Sequence, residues 1–409
     1  MKEKLLYLCH RIPYPPNKGD KIAAYNILKF LNQHFDVYLG CFIDNPEDNQ
    51  YQEYVRSLCK EACFVPLNPN LAKLKGISAF ASGLPITVPH YGSRTLQKWV
   101  NQTVNSLSLD KVFVFSSCMA QFVLNRDSAG TLHHVMHFVD IDSDKWRQYA
   151  EKTHGVMRWI YQREHHTLEK YEKYLAKQFN TSCFVTDAET AMFKNMVEAP
   201  YKDRIKTLGN GIDTNYFSPS AKHELAEKYP LELQNYIVFT GAMDYWANVD
   251  AVVWFAENIW PSIRKLVPNS YFYIVGSSPT KQVQKLDSIA GIIITGRVED
   301  VRPYLHHAKA SVAPMQIARG VQNKILEAMS MECPVTATTL GIEGIDGIEI
   351  IPDSYLYISD SAENITQWLT DKLNHENKSA QVSRNWLKEN YSWSARLSPL
   401  LHYLDSSLE

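Results

Sequence analysis

Short runs of apolar, β-favouring residues alternate along this chain with stretches whose apolar positions recur at helical spacing. Leu5-Leu6-Tyr7-Leu8-Cys9 reads as a buried strand. A loop rich in Pro and Gly follows (Pro13, Pro15, Pro16, Gly19), and Ile22, Tyr25, Ile27, Leu28 and Leu31 then mark a helix. Val37 to Ile43, Val112 to Phe115 and His134 to Val139 supply further strands, with helical patterns between several of them. Strand, loop, helix is the first step of a βαβ unit, so a parallel sheet covered by helices is expected. From Trp146 to Phe179 the positions Val156, Ile160, Leu168, Tyr171 and Leu175 predict one long helix. Arg163, Glu164, Glu169, Lys170, Glu172 and Lys173 suit its solvated face.

A second cycle starts near residue 205. Tyr236 to Gly241, Tyr271 to Gly276, Ile292 to Gly296 and Ala310 to Ala313 are strand-like, and three of the four end in Gly. Helical stretches at 249–266, 279–287 and 299–308 lie between them. Ligands of open α/β sheets bind beyond the carboxyl ends of the strands, where close backbone approach calls for Gly. Gly241, Gly276 and Gly296 mark that edge. Two such halves facing each other would enclose a site between domains.

Length and composition fit this picture. The 409 residues suit two domains, and 45% apolar with 21% charged residues is ordinary globular usage, which excludes disorder and fibrous repeats. The net charge of -2 hides a split: residues 1–206 hold 26 Lys plus Arg against 21 Asp plus Glu, and residues 207–409 hold 16 against 23. Two surfaces with different partners are expected from that asymmetry. No apolar run approaches the roughly 18 residues of a membrane span, and the first residues lack a secretory pattern, so a cytoplasmic protein is expected. Seven scattered cysteines suit reduced structural thiols rather than staples or a zinc site. No nucleic-acid module is visible.

The chemistry concentrates in Ala318-Arg319-Gly320-Val321-Gln322-Asn323-Lys324-Ile325-Leu326-Glu327-Ala328-Met329. Val321, Ile325, Ala328 and Met329 predict a helix starting at or just after Gly320. Its free amides at 321–323 and its dipole favour an anion such as a diphosphate. Lys324 in the first turn is badly placed unless an anion is bound there, and Arg319 can reach the same anion. Glu327 is suited to accept hydrogen bonds from the vicinal hydroxyls of a ribose. Leu208-Gly209-Asn210-Gly211-Ile212-Asp213, running on to Phe217-Ser218-Pro219, places an Asn-Gly turn where the halves join.

These segments resemble family four of the retaining GT-B glycosyltransferases. Phe239-Thr240-Gly241-Ala242-Met243-Asp244-Tyr245, Asn248-Val249-Asp250, Thr295-Gly296-Arg297-Val298 and the segment from Ala318 to Met329 are similar to a bacterial subgroup associated with exopolysaccharide and exosortase systems. Pro13 to Lys21 and Val139 to Trp146 resemble that subgroup too, so the likeness spans nearly the whole chain. It implies an α/β chain of two Rossmann-like domains with parallel sheets facing an interdomain cleft. Residues 1–205 would form the acceptor side and 206–385 the nucleotide-sugar side, with a helix in 386–409 crossing back. By the resemblance, Gly19, Gly241, Asp244, Asn248, Gly276, Arg297, Val298, Gly320, Val321, Gln322 and Asn323 meet the donor, and Asp20, Lys21 and Asp142 the acceptor. Asp140, Arg319, Lys324 and Glu327 would carry catalysis. The family's signature has two carboxylates separated by seven residues; Glu327 fills the second position, the ribose contact, but Arg319 stands at the first. The usual Arg and Lys after the strand ending at Gly241 are also missing, so Arg319 and Lys324 are expected to replace their charge. Asp140 lies near where many members carry a sugar-contacting His, while Asp142 and Asp144 equally suit capping of the next helix, and His137 suits the core.

The expected activity is transfer of a sugar from a nucleoside diphosphate donor to a saccharide or lipid-linked acceptor with retention, without metal or cofactor. A nucleotide-sugar epimerase of the same architecture and a non-catalytic nucleotide-sugar-binding protein are the alternatives. Leu71, Leu74, Ile77 and Phe80 interleaved with Lys73 and Lys75 suit either a weak surface for an anionic lipid-linked acceptor or an ordinary solvated helix face, and peripheral association with the inner face of the membrane is a separate expectation.

Overall fold

Strands buried on both faces need no polar alternation, and the apolar runs behave accordingly: Leu5 to Cys9 are all fully buried. The computed structural model describes residues 2–124, 132–151, 153–220, 231, 234–318, 320–375 and 379–405. Two compact units result, Met1–Asn210 with Arg396–Glu409, and Gly211–Ala395.

The first unit is a seven-stranded sheet. Its strands are β1 (Glu3–Cys9), β2 (Phe35–Ile43), β3 (Glu61–Pro66), β4 (Lys111–Phe115), β5 (His133–Val139), β6 (Thr181–Phe184) and β7 (Ile205–Thr207), in the order β3-β2-β1-β4-β5-β6-β7. All pairings are parallel, with Cys9 opposite Cys41 and Leu6 opposite Val112. Late in the chain, the carbonyl of Tyr403 lies 2.7 Å from His133 Nε2, and the Tyr403 hydroxyl donates to the Thr207 carbonyl at 3.4 Å.

The second unit has six parallel strands, β8 (Asn235–Thr240), β9 (Ser270–Val275), β10 (Ile292–Gly296), β11 (Ala310–Ala313), β12 (Val335–Ala337) and β13 (Leu356–Ile358), ordered β10-β9-β8-β11-β12-β13. Each sheet reverses direction beside its first strand, at β1/β4 and at β8/β11, which is the doubly wound, Rossmann-like arrangement. Such a reversal opens a crevice at the strand ends.

Local chemistry reshapes several expected elements. The long helix expected between 146 and 179 is two, Asp142–Glu151 and Gly155–Gln178; Gly155 starts the second at φ 65, a left-handed conformation that interrupts helical hydrogen bonding. The expected helix at 249–266 is Trp246–Asn258 followed by Trp260–Leu266, because Pro261 has no N–H to continue the first. The stretches at 279–287 and 299–308 shrink to Lys281–Gln284 with a 3₁₀ turn at Lys285–Ser288, and to Arg302–His306. Gly19, expected in the loop after the first strand, is the first residue of the helix Gly19–His34, with Asp20 in its first turn.

Candidate functional site

At the carboxyl edge of the second sheet the chain folds back on itself through backbone contacts. Gly241 N donates to the Val275 carbonyl at 3.0 Å, Gly276 N to the Gly296 carbonyl at 3.2 Å, and Met243 N to the Ser277 carbonyl at 2.8 Å. The approach is so close that a Cβ on Gly276 would lie 1.7 Å from the Gly241 carbonyl oxygen. Gly241 itself has φ 155, and a Cβ there would sit 2.7 Å from Asn248 Nδ2. Gly therefore serves here to bring two loops together, and the space left above them is a cavity of about 730 Å³, the size range of small-ligand sites.

One wall of the cavity comes from the strand ends, Thr240, Gly241, Val275, Gly276, Ser277 and Ser278. A second is Arg297, Val298 and Val301, and the third is the helix Asn323–Ser330, through Asn323, Lys324 and Glu327. That helix starts later than its sequence suggests. Gln322 is its extended N-cap (φ -85, ψ 93), so the first-turn amides belong to Asn323 and Lys324 rather than to residues 321 and 322. Gly320 precedes it at φ 65.

Lys324 is anchored by neutral acceptors. Its Nζ donates to Asn248 Oδ1 and to Gln322 Oε1, each at 3.0 Å, and it lies 5.1 Å from the centre of the Phe239 ring. Asn248 is fixed in turn by its Nδ2 donating to the Ala242 carbonyl at 2.9 Å. Burial lowers the Lys324 pKa to about 8, and nearby Glu327 pulls it partly back. Burial likewise pushes the Glu327 carboxyl up to about 7, against the pull of Lys324. A cation and a carboxyl, both desolvated, thus face one cavity at a helix amino end. Anionic phosphates suit the first and hydroxyl donors the second.

The other expected donor residues divide. Gln322 is buried and positions Lys324; its Nε2 donates to the Gly320 carbonyl at 3.3 Å. Val321 packs on the hydrophobic core instead of lining the cavity. Asp244 is exposed and is not among the residues lining this cavity. Arg319 lies outside the described residues. Thr240, Val275, Ser277, Ser278 and Val301 escaped sequence reasoning; their signal is position, immediately flanking the Gly-ended strands or following Arg297.

At the reversal point of the first sheet, His10 and Arg11 follow the end of β1 and Ser116 follows the end of β4. Asp20 receives Arg11 Nη1 at 2.7 Å and lies 3.3 Å from His10 Nε2, while His10 Nδ1 lies 3.4 Å from Ser116 Oγ. Hydrogen bonding to His10, together with Arg11, holds the Asp20 carboxyl well below the usual range. Arg11 also pairs with Asp44 at 2.8 Å. Asp142 begins the helix Asp142–Glu151; burial raises its pKa, Asp140 adds to that, and Lys145 and His10 oppose it. Asp140 itself is exposed on the bend after β5. Gly19 sits beside this cluster in sequence, with nothing within 4 Å of where its Cβ would be. His137 is 1% exposed among Phe113 and Phe115, and burial lowers its pKa to about 4, which makes it a neutral core residue.

Lys21 requires a correction. Its side chain is turned inward, 3% exposed, with Nζ 2.5 Å from Asp48 Oδ2. A buried ammonium with a carboxylate partner holds the helix Gly19–His34 against the 3₁₀ turn Pro46–Tyr51 and is not available to an acceptor. Asp48→Ala, by stranding that ammonium, and Lys21→Met, by stranding the equally buried carboxylate, are each expected to cost about 3 to 5 kcal/mol in urea unfolding.

Two Rossmann-like units of parallel strands define the GT-B fold, and solved structures of that fold match nearly the whole chain. HepE of Anabaena, solved with UDP-glucose, is 15% identical with a TM-score of 0.59, covering 98% of this chain and 99% of that one. Sucrose-phosphate synthase of Thermosynechococcus elongatus is 14% identical with a TM-score of 0.64, covering 98% of each. WaaG, a glycosyltransferase involved in lipopolysaccharide biosynthesis, is 15% identical with a TM-score of 0.58, covering 97% and 99%. Residues 234–371, which hold the cavity, match the family described as "Glycosyl transferases group 1". No curated protein sequence matches the chain.

Proposed function

We propose that the protein is a retaining glycosyltransferase that moves a sugar from a nucleoside diphosphate donor to a hydroxyl of a saccharide or lipid-linked acceptor in the cytoplasm, without a metal or cofactor, in exopolysaccharide or related glycan assembly. The observation that carries this reading is the cavity where Lys324 and the amino end of the helix Asn323–Ser330 face Glu327, within the segment that matches the glycosyltransferase family. In this reading the diphosphate lies against Lys324 and the first-turn amides, with Arg297 at the rim, and the ribose hydroxyls donate to Glu327. The anomeric C–O bond breaks with its electron pair passing to the diphosphate, whose growing charge Lys324 stabilises. The acceptor oxygen forms the new bond on the same face of the sugar, and its proton passes to the departing phosphate oxygen. No protein nucleophile is required, in contrast to retaining glycosidases with two close carboxylates.

Thermal unfolding in the presence of UDP, GDP, ADP and their sugars tests the donor side. At about a hundred times the dissociation constant a ligand is expected to add about 2.7 kcal/mol, so one base should raise the melting temperature clearly above the others. Absence of a shift with every nucleotide would overturn the reading. Labelled donor incubated with and without candidate acceptors then tests the reaction: label must appear on the acceptor, and an epimerised donor formed without acceptor would replace transfer by isomerisation.

A further inference from the structure

The helix Pro69–Ser82 is built the wrong way round for a soluble protein. Its buried residues are small, Ala72, Gly76 and Ala79, and a Cβ on Gly76 would lie 3.1 Å from the Ile86 side chain, so the backbone seats closely. Its large apolar residues face outward instead: Leu71, Leu74, Ile77 and Phe80 are 52%, 65%, 62% and 41% exposed. A helix stabilised only by its own domain points such side chains inward.

A second segment continues the surface. In the first turns of the helix Gly155–Gln178, Val156 and Trp159 are 75% and 58% exposed. Phe80 stacks on Trp159 with ring centroids 6.0 Å apart, and the Arg163 guanidinium lies 4.6 Å from the Phe80 ring centre. Arg163 also donates to the Ala79 and Leu84 carbonyls, at 2.5 and 2.9 Å, which joins the two segments into one face. An exposed contiguous apolar patch of this kind marks a contact surface.

Charge identifies what it contacts. From Ala62 to Leu109 the sequence has no Asp or Glu, but carries Lys73, Lys75, Arg94 and Lys98. Residues 152–163 again have no acid and add Lys152, Arg158 and Arg163. The adjoining acids are turned to other work: Glu164 is buried against Arg163 and accepts from Ile86 N at 2.9 Å, and Glu151 pairs with Arg147 at 2.6 Å. Lys73 and Arg158 are exposed. Apolar side chains and a Trp on two helices that also carry the exposed Lys73 and Arg158, in segments poor in acids, match the boundary between acyl chains and anionic headgroups.

We infer that this face docks the protein on an anionic lipid bilayer, Leu74, Ile77 and Trp159 entering the headgroup boundary while Lys73 and Arg158 meet lipid phosphates. The inference stands on unit-one residues alone and is independent of the donor cavity. Co-sedimentation of the full chain with vesicles of phosphatidylcholine, with and without phosphatidylglycerol, tests it. The protein is expected to pellet with the anionic vesicles and stay in solution with the neutral ones. Leu74→Glu with Ile77→Glu is expected to reduce binding at least about tenfold, and Lys73→Glu to weaken it with a smaller salt dependence. Both positions are exposed, so an unchanged melting temperature should accompany the loss. Wild-type protein that ignores anionic vesicles, or a double variant that still binds them, overturns the proposal. So does a concentration-dependent dimer in sedimentation equilibrium that the double variant abolishes without any vesicle binding, since that outcome assigns the face to a second copy.

Discussion

Lys324→Met is expected to weaken binding of the preferred nucleoside diphosphate about a hundredfold, measured by titration calorimetry at pH 7. That factor corresponds to about 2.7 kcal/mol, the scale of charge-assisted hydrogen bonds to phosphate in a partly desolvated site. Met keeps the contact with Phe239 and removes the ammonium alone. The pH dependence separates the charge from packing. Lys324 has a pKa near 8 in the empty site, lowered from 10.5 by burial. Wild-type affinity should therefore fall as the pH rises through about 8, by up to tenfold per unit, while Lys324→Met stays flat across the same window. The empty protein should show the opposite face of the same linkage. Between about 8 and 10.5 the unfolded chain holds a proton on Lys324 that the folded chain has released, so stability rises with pH there. Between 4.5 and about 7 the folded chain holds a proton on Glu327 that the unfolded chain has lost, so that contribution falls as the pH rises. These two groups together leave the empty site least favourable between about pH 7 and 8, where a bound diphosphate and its ribose relieve both. Equal affinity of wild type and variant for every nucleotide would remove Lys324 from the site.

What was readable in the chain follows from how local each cause is. Strand runs ending in Gly241, Gly276 and Gly296 announce themselves because a buried parallel strand needs an unbroken apolar stretch and its close-packed exit needs a missing side chain. Glu327 and Lys324 are legible for the same reason, as polar residues within the first turns of an otherwise apolar helix. β6 (Thr181-Ser182-Cys183-Phe184) and β7 (Ile205-Lys206-Thr207) escape because their residues form neither an apolar run nor a resolvable alternation, unlike the equally short β11. Long-range pairing escapes altogether. Lys21 looks like a surface cation until Asp48, 27 residues on, is seen to neutralise it inside. His10, Arg11, Asp44 and Ser116 likewise gather around Asp20 only because β1, β2 and β4 lie side by side. The same limit applies to the helix Pro69–Ser82: its sequence leaves open whether Leu71, Leu74, Ile77 and Phe80 meet a lipid-linked ligand or only solvent, and the structure alone shows that the opposite face, of Ala and Gly, is the buried one.

Two glycines that look equivalent in sequence should respond in opposite ways to the same methyl group. Gly276→Ala is expected to destabilise the second unit by at least about 3 kcal/mol, the upper range of overpacking costs, and to abolish nucleotide binding. A Cβ placed 1.7 Å from the Gly241 carbonyl oxygen cannot be relieved by a rotamer, because the obstacle is backbone. One of the two loops must move, and both hold the cavity wall through Gly241 N to Val275 O and Gly276 N to Gly296 O. Gly19→Ala meets no atom within 4 Å and lies in the first turn of a helix, where replacing Gly lowers the entropy of the unfolded chain. It should raise stability by up to about 1 kcal/mol, unless the ligand itself requires the space. Urea unfolding followed by nucleotide titration of both variants therefore reads two things at once. A stable Gly19→Ala protein with unchanged nucleotide affinity assigns donor recognition to the cavity of the second unit alone, and a stable one with lost affinity brings the amino end of the helix Gly19–His34 to the donor. A Gly276→Ala protein that remains as stable as wild type and still binds nucleotide would refute the close-packed strand exits as the basis of the site.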